Sequence, residues 1–312
     1  MKKYPIAAFC MLIILAVLFG FCASSSTASP EVDENSLDCI HASNQLVTAP
    51  FVPEIVDFAG ETLPMHLFDI RESLERELIV NMNFHSNTLQ YLKRITRFFP
   101  VIEPILAQHN IPDDFKYLAL IESDFMNRVS PRGATGFWQF MRPAASDYGL
   151  EVNDEVDMRY HLEKSTEAAC KYLNAAHRIF GDWTLVAASY NMGKAGLSTR
   201  LTNQKVTSYY DLWLSEETMR YVFRIVAVKL ILTSPEKYGF YMPEEERYRP
   251  IPFTEVDVTG AIPDLVDFAI QHGTNYKVLK ILNPWLRDSK LTNRARRTYS
   301  IRIPAEGFRE NI

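Results

Sequence analysis

Apolar residues recur at helical spacing through most of this chain. The repeat runs through residues 69–85, 89–107, 164–179, 183–189 and 215–232. Asp182 and Ser215 stand where helices would begin and can cap free backbone N–H groups, whereas Gly181 and Pro235 stand where helices would end. Strand-like alternation is lacking in this region, so the sequence predicts a mainly α domain.

The pattern changes on both sides of this helical region. Residues 51–68 contain two prolines and a glycine and are predicted to be irregular. Towards the carboxyl end, the sequence favours a strand over 253–258, short helices over 263–272 and 275–282, and a closing strand over 299–303. It therefore predicts a small β-α-α-β module within residues 250–312.

The amino terminus has the pattern of a secretory signal. Two lysines precede an apolar run from Ile6 to Phe21, and small residues follow up to Ala28. We therefore predict a signal peptide over 1–28 and a polar tether over 29–50. Cys22 leaves two outcomes open, lipidation of its thiol or cleavage near Ala28. Cys170 falls within a predicted helix, which favours core packing over pairing with Cys39.

Composition narrows the classes of function. The chain is 47% hydrophobic, which is enough for a substantial core. Its net charge is -5, and without Lys2 and Lys3 it would be -7. Basic stripes are lacking, so we expect no nucleic-acid partner. The seven histidines are scattered without metal-ligand spacing, and neither a metal nor a cofactor is expected.

Glu122 is the most informative candidate for chemistry. It follows Phe115, Leu118 and Ala119 at i+7, i+4 and i+3, on one face of a helix that Pro112 opens. A carboxyl group in a core position is desolvated, and desolvation raises its pKa. A carboxylic acid that stays protonated near neutral pH suits the cleavage of a glycosidic bond. The alternative is an ordinary acid at a helix end that turns into solvent.

The motifs around Glu122 carry a family resemblance. In order, they are Glu122-Ser123-Asp124-Phe125, the run 130–141 (SPRGATGFWQFM), Asp182-Trp183, the run 188–193 (ASYNMG), the run 217–222 (ETMRYV) and Lys237-Tyr238-Gly239-Phe240. This series resembles the catalytic domain of family 1 lytic transglycosylases, which are goose-lysozyme-like enzymes. Within that family it is most similar to the membrane-bound lytic murein transglycosylase D type. The resemblance covers roughly residues 53–240.

The resemblance implies a lysozyme-like helical fold and cleavage of peptidoglycan. The implied reaction breaks the β-1,4 bond between N-acetylmuramic acid and N-acetylglucosamine without water and leaves a 1,6-anhydro end. Glu122 would act first as the acid and then as the base. The implied substrate-binding residues are Ser130, Gln139, Met141, Tyr190, Asn191, Glu217 and Tyr221. Ser189 and Met192 depart mildly from the family pattern.

The remaining expectations concern domains and location. Residues 51–100 are predicted to form a helical extension, 101–245 the catalytic domain, and 250–312 a module that resembles a divergent LysM fold. The Thr259-Gly260-Ala261-Ile262 run replaces the usual Gly-Asp-Thr/Ser-Leu motif. We expect an exported monomer in the periplasm or cell envelope, with glycan strands as its partner. Two alternatives remain, a lysozyme-type hydrolase and a wall-binding protein without catalysis.

Overall fold

The computed structural model describes residues 48–309, so the predicted signal peptide, most of the tether, Cys22 and Cys39 lie outside the described residues. The helices are α1 (Phe68–Asn83), α2 (His85–Gln108), α3 (Phe115–Ser123), α4 (Arg142–Asp147), α5 (Leu162–Phe180), α6 (Trp183–Met192), α7 (Lys194–Gln204), α8 (Glu216–Thr233), α9 (Leu265–Gln271) and α10 (Tyr276–Leu282). The strands are β1 (Asp57–Phe58), β2 (Glu61–Thr62), β3 (Phe253–Val258) and β4 (Tyr299–Pro304). The predicted mainly α fold with a terminal β-α-α-β module is confirmed.

Three helix boundaries lie at the capping residues that the sequence predicts. Gly181 takes the left-handed conformation, with φ of 66°, directly after α5. The Asp182 carboxylate then accepts a hydrogen bond of 2.6 Å from the Leu185 N–H at the start of α6. The Ser215 hydroxyl accepts one from the Thr218 N–H at the start of α8. These three predicted caps are confirmed, although α5 begins earlier and α6 ends later than the apolar repeat indicated.

The helix that carries Glu122 is buried on nearly all sides. Eight of the nine residues of α3 are buried, and Glu122 is the exception. The helical repeat predicted one buried face, but α2 and α8 both pack against this short helix. Asp124 follows α3 with a φ of 53°, which ends the helix and turns the chain.

The prediction of an irregular 51–68 segment was wrong in part, because β1 and β2 form an antiparallel hairpin. Ala59 and Gly60, with φ of 55° and 82°, make its tight turn. The Glu61 carboxylate accepts hydrogen bonds from the backbone N–H groups of Trp183, at 2.6 Å, and Thr184, at 2.9 Å. The hairpin thus caps the amino end of α6, where negative charge is favoured.

One hydrophobic core joins α1 and α2 to α3, α5, α6 and α8. Helix α8 occupies its centre and packs against α1, α3 and α6. Its buried side chains include Tyr221 and Ile225. Cys170 in α5 is also fully buried, as predicted. Among residues 48–309, no helix is long and apolar enough to span a membrane.

The carboxyl-terminal module is a two-stranded antiparallel sheet with α9 and α10. The register of β3 and β4 runs from Phe253 opposite Pro304 to Val258 opposite Tyr299. Alternate residues of β4 are buried, and they form a second core with Leu279 and Trp285. This second core also takes in Val156 and Tyr160, which precede α5. The module therefore shares buried side chains with the helical domain.

Candidate active site

Glu122 lies in the last turn of α3, where protein atoms surround its carboxyl group almost completely. Desolvation is the largest influence and raises the pKa of this group above its ordinary value. The Tyr221 hydroxyl and the positive charge of Arg224 act in the opposite direction, and the negative charge of Glu217 adds to the rise. The side chain keeps a partly accessible edge. The raised pKa favours the protonated form of a side chain that can still reach a ligand.

Two tyrosines from different helices accompany this carboxyl group, the buried Tyr221 and the partly buried Tyr190. The Tyr221 hydroxyl of α8 donates a short hydrogen bond to Glu122 Oε1. The Tyr190 hydroxyl of α6 donates to the Trp138 carbonyl at 2.7 Å. Burial, and then the charge of Glu122, raises the pKa of Tyr190 well above its ordinary value. Both hydroxyls therefore stay protonated and act as hydrogen-bond donors.

Asn191 connects α6 to the first turn of α8. Its amide nitrogen donates to Glu217 Oε1 at 3.1 Å, and its amide oxygen accepts from the Thr218 hydroxyl at 2.7 Å. Thr218 is buried, whereas Glu217 is exposed. A polar edge of amide and carboxylate groups thus forms beside Glu122, with chemistry suited to sugar hydroxyls.

The segment after α3 carries three further candidates. The Ser130 hydroxyl accepts from the Ala134 N–H at 3.0 Å and so closes a local turn. Gln139 has a φ of 48°, and its amide nitrogen donates to the Gly136 carbonyl at 2.7 Å. Met141 is 43% exposed at the start of α4. Trp138 is fully buried and belongs to the core, as the sequence favoured.

The structure thus brings Glu122, Tyr190, Asn191, Glu217 and Tyr221 into one cluster. Ser130, Gln139 and Met141 belong to a separate segment that meets the cluster through the Trp138 carbonyl. The sequence predicted both sets but not how they are connected. Cys22 lies outside the described residues.

Sequence reasoning missed Arg224 and Arg159. Arg224 follows Tyr221 by three residues, so helical spacing could have placed it on the same face. It lines a cavity of about 510 Å³ that Asp124 and Glu217 also line. Arg159 is buried with Asp157 and contacts the segment that carries Gln139. Only the Asp-x-Arg spacing hinted at this pair. In the part of the chain that the structure describes, no cluster of histidine, cysteine or acidic residues could hold a metal ion.

Comparison with protein families gives two matches. Residues 100–212 match the family described as the transglycosylase SLT domain. Residues 254–307 match the soluble lytic transglycosylase C-terminal LysM-like domain. The first match contains Glu122 and helix α6 with Tyr190, but not helix α8 with Tyr221. The second match contains both module helices, β4 and nearly all of β3.

Relatives of known name agree with these matches. Membrane-bound lytic murein transglycosylase D of Escherichia coli strain K12 is 27% identical over 243 residues, which cover 75% of this chain and 52% of the relative. The protein of that name from E. coli O6:H1 gives the same values. A putative tributyltin chloride resistance protein of Alteromonas sp. strain M-1 is 30% identical over 102 residues, covering 32% of this chain and 49% of the relative. This chain thus spans about half the length of these relatives, and the resemblance found in the sequence is confirmed.

Proposed function

We propose that this chain, which joins a transglycosylase SLT domain to a LysM-like domain, is a lytic transglycosylase that cleaves the glycan strands of peptidoglycan. The observation that carries the proposal is the environment of Glu122. It is a desolvated carboxyl group with a raised pKa and a tyrosine donor, within the matched domain. Homology to membrane-bound lytic murein transglycosylase D supports the same activity.

In the proposed first step, protonated Glu122 gives its proton to the glycosidic oxygen of the β-1,4 bond. The bond from that oxygen to C1 breaks, and the leaving N-acetylglucosamine keeps the proton as a hydroxyl. Positive charge develops at C1 of N-acetylmuramic acid. The Tyr221 hydroxyl and the charge of Arg224 stabilise the carboxylate that this step creates, since both lower the pKa of Glu122.

In the second step, the Glu122 carboxylate removes the proton from the 6-hydroxyl of the same muramic acid. The freed oxygen bonds to C1, and a 1,6-anhydro ring closes without water. The neighbouring carboxylates support a scheme with one acid-base residue. Asp124 accepts from the Tyr91 hydroxyl at 2.6 Å and pairs with Arg128, so other groups already hold it. Glu217 is exposed and accepts a hydrogen bond from Asn191.

The substrate contacts and the location follow from the same proposal. Tyr190, Asn191, Glu217 and Gln139 would bind the sugar rings on either side of the bond that breaks. The predicted signal peptide supports an envelope location, as does similarity to a membrane-bound lytic murein transglycosylase. The LysM-like module would face the same polymer, because that is the substrate of the helical domain.

The test is digestion of purified sacculi followed by mass analysis of the released muropeptides. We expect products that carry 1,6-anhydro ends, which are one water lighter than reducing ends. Glu122→Gln should lower release by roughly 10²–10⁴-fold while sacculus binding persists, because the amide cannot supply the proton. Glu167→Gln, which changes a partly exposed glutamate of α5, should match the wild type.

Each alternative has its own result. Reducing ends as the main product would assign the chain to the lysozyme-type hydrolases instead. Sacculus binding without any release by the wild type would assign it to wall-binding proteins. Release near the wild-type rate by Glu122→Gln would remove Glu122 from the mechanism.

A further inference from the structure

Asp157 and Arg159 form a buried ion pair that the proposed chemistry does not use. They are only 5% and 6% exposed. The contact is bidentate, since Arg159 Nε donates to Asp157 Oδ1 at 2.9 Å and Nη2 donates to Oδ2 at 2.7 Å. Burying two charges costs stability unless their remaining hydrogen-bonding groups are also satisfied. The third nitrogen of the guanidinium, Nη1, meets this requirement by donating to backbone carbonyls.

Arg159 Nη1 donates to two backbone carbonyls of the segment that carries Gln139. These are Phe140 O, at 3.1 Å, and Gly133 O, at 3.2 Å. The two acceptors stand at the two ends of the segment 133–140. One guanidinium therefore bridges the segment from end to end.

The main chain of Arg159 contacts the middle of the same segment. Gly136 has a φ of 81°, and a Cβ built on it would lie 1.9 Å from the Arg159 carbonyl oxygen. The segment therefore contacts both the side chain and the backbone of Arg159. It contributes Gln139, and it contributes the Trp138 carbonyl that accepts the Tyr190 hydroxyl beside Glu122.

The carboxyl-terminal module holds the stretch that precedes Arg159. The Asp157 N–H donates to the Trp285 carbonyl at 2.9 Å, and the Arg287 N–H donates to the Glu155 carbonyl at 2.8 Å. The Glu155 carboxylate accepts from both the backbone N–H and the hydroxyl of Thr292. Val156 is buried in the core of the module. The module therefore contacts residues 155–157 through backbone hydrogen bonds, side-chain hydrogen bonds and apolar packing.

These contacts form a continuous connection from the module to the site. We propose that Arg159 is a positioning residue of the reaction, and that the LysM-like module acts through residues 155–157 and Arg159 to hold the segment 133–140. This inference rests on the proposed function. It gives the module a role in catalysis that does not depend on whether the module binds glycan.

The expected effect is large because catalysis is sensitive to small displacements. A misplacement of about 1 Å can lower a rate by roughly 10²-fold. Arg159→Ala removes both carbonyl contacts and leaves Asp157 unpaired, so kcat on sacculi should fall by about 10–100-fold. The group removed is a guanidinium, so millimolar guanidinium should restore part of kcat and ammonium should not.

Arg97→Ala is the matched control. Arg97 is less buried than Arg159, but it likewise donates to a backbone carbonyl, that of Arg249, at 2.8 Å. Its hydrogen bond is made outside the segment 133–140. We expect wild-type kcat for this variant and no response to guanidinium. Rescue by guanidinium is expected for Arg159→Ala alone, and it separates a positioning role from general destabilisation.

The role of the module is tested with a milder change on the helical side of its interface. Glu155→Ala removes the acceptor of Thr292 without touching Arg159. It should lower kcat several-fold and increase amide hydrogen exchange at Thr135, Gly136 and Phe140. In the double variant with Arg159→Ala, the two losses should not multiply, because both act on one connection.

Three results would overturn the inference. They are wild-type kcat in Arg159→Ala, full multiplication of the two losses, or unchanged exchange at 133–140 in Glu155→Ala. A wild-type protein that releases no anhydro product contradicts the proposed function instead. The exchange measurement needs no activity, so the two failures can be told apart.

Discussion

Replacing Gly136 with alanine tests the close packing of the site segment against Arg159. Two costs can be worked from the structure. The φ of 81° lies in the left-handed region, where a side chain costs about 1–2 kcal/mol. The added Cβ would stand 1.9 Å from the Arg159 carbonyl oxygen and 2.7 Å from its carbonyl carbon. Both neighbours are backbone atoms, so the segment itself has to move by about 1 Å.

Overpacking of this kind typically costs about 1–3 kcal/mol. The free energy of unfolding of Gly136→Ala should therefore fall by about 2–5 kcal/mol in all. Because the segment carries Gln139 and meets Tyr190, kcat on sacculi should fall as well. Urea unfolding gives the first quantity, and muropeptide release by protein that is still folded gives the second.

Gly133→Ala is the control for backbone strain alone. Gly133 has a φ of 87°, but nothing lies within 4 Å of the Cβ it would gain. This variant should lose only about 1–2 kcal/mol. Equal losses for the two variants would refute the reasoning, because they would show that the contact with Arg159 contributes nothing.

Two further predictions concern protons. Tyr221→Phe removes the hydrogen bond that lowers the pKa of Glu122, so the alkaline limb of kcat/KM should move to higher pH. For Glu163, burial raises the pKa, but the His161 imidazole at 3.2 Å and the hydrogen-bonded Arg302 guanidinium outweigh burial and lower the pKa from 4.5 to about 2. The stability that Glu163 contributes, at most about 3 kcal/mol, should be complete above pH 4.5 and lost as the pH falls towards 2.

Each of these predictions has a clear contrary result. An alkaline limb that stays in place, or moves down, in Tyr221→Phe would show that the hydroxyl does not stabilise the charged carboxylate. For Glu163, the comparison is urea unfolding of the wild type and Glu163→Gln across pH 2–6. A difference in unfolding free energy that is independent of pH would contradict the ion pairing between α5 and β4.

Local chemistry made much of the fold predictable. The caps by Asp182 and Ser215 and the helix end at Gly181 depend on neighbouring residues, and each is confirmed. The strand 253–258 was read from alternation and has those bounds in the structure. The hairpin within 51–68 was missed because a contact distant in sequence stabilises it. Glu61 of this hairpin caps a helix that starts 122 residues later.

The candidate site was likewise predictable only in part from the sequence. Spacing along one helix placed Glu217 beside Tyr221, and the ordered motifs singled out Glu122. No local sequence feature connects Tyr221 with Glu122, which are 99 positions apart. The desolvation of Glu122 also depends on burial of α3 from several sides, which its own repeat showed for one face only.

The sequence by itself predicted most of the longer helices, three of their ends, the terminal module and the candidate residues for chemistry. These depend on hydrogen bonds and apolar periodicity within a few residues. Tertiary structure alone decided that Tyr221 reaches Glu122, and that Arg159 carries the contact between the module and the segment 133–140. Long-range contacts and desolvation arise only when distant parts of the chain pack together, and no local pattern records them.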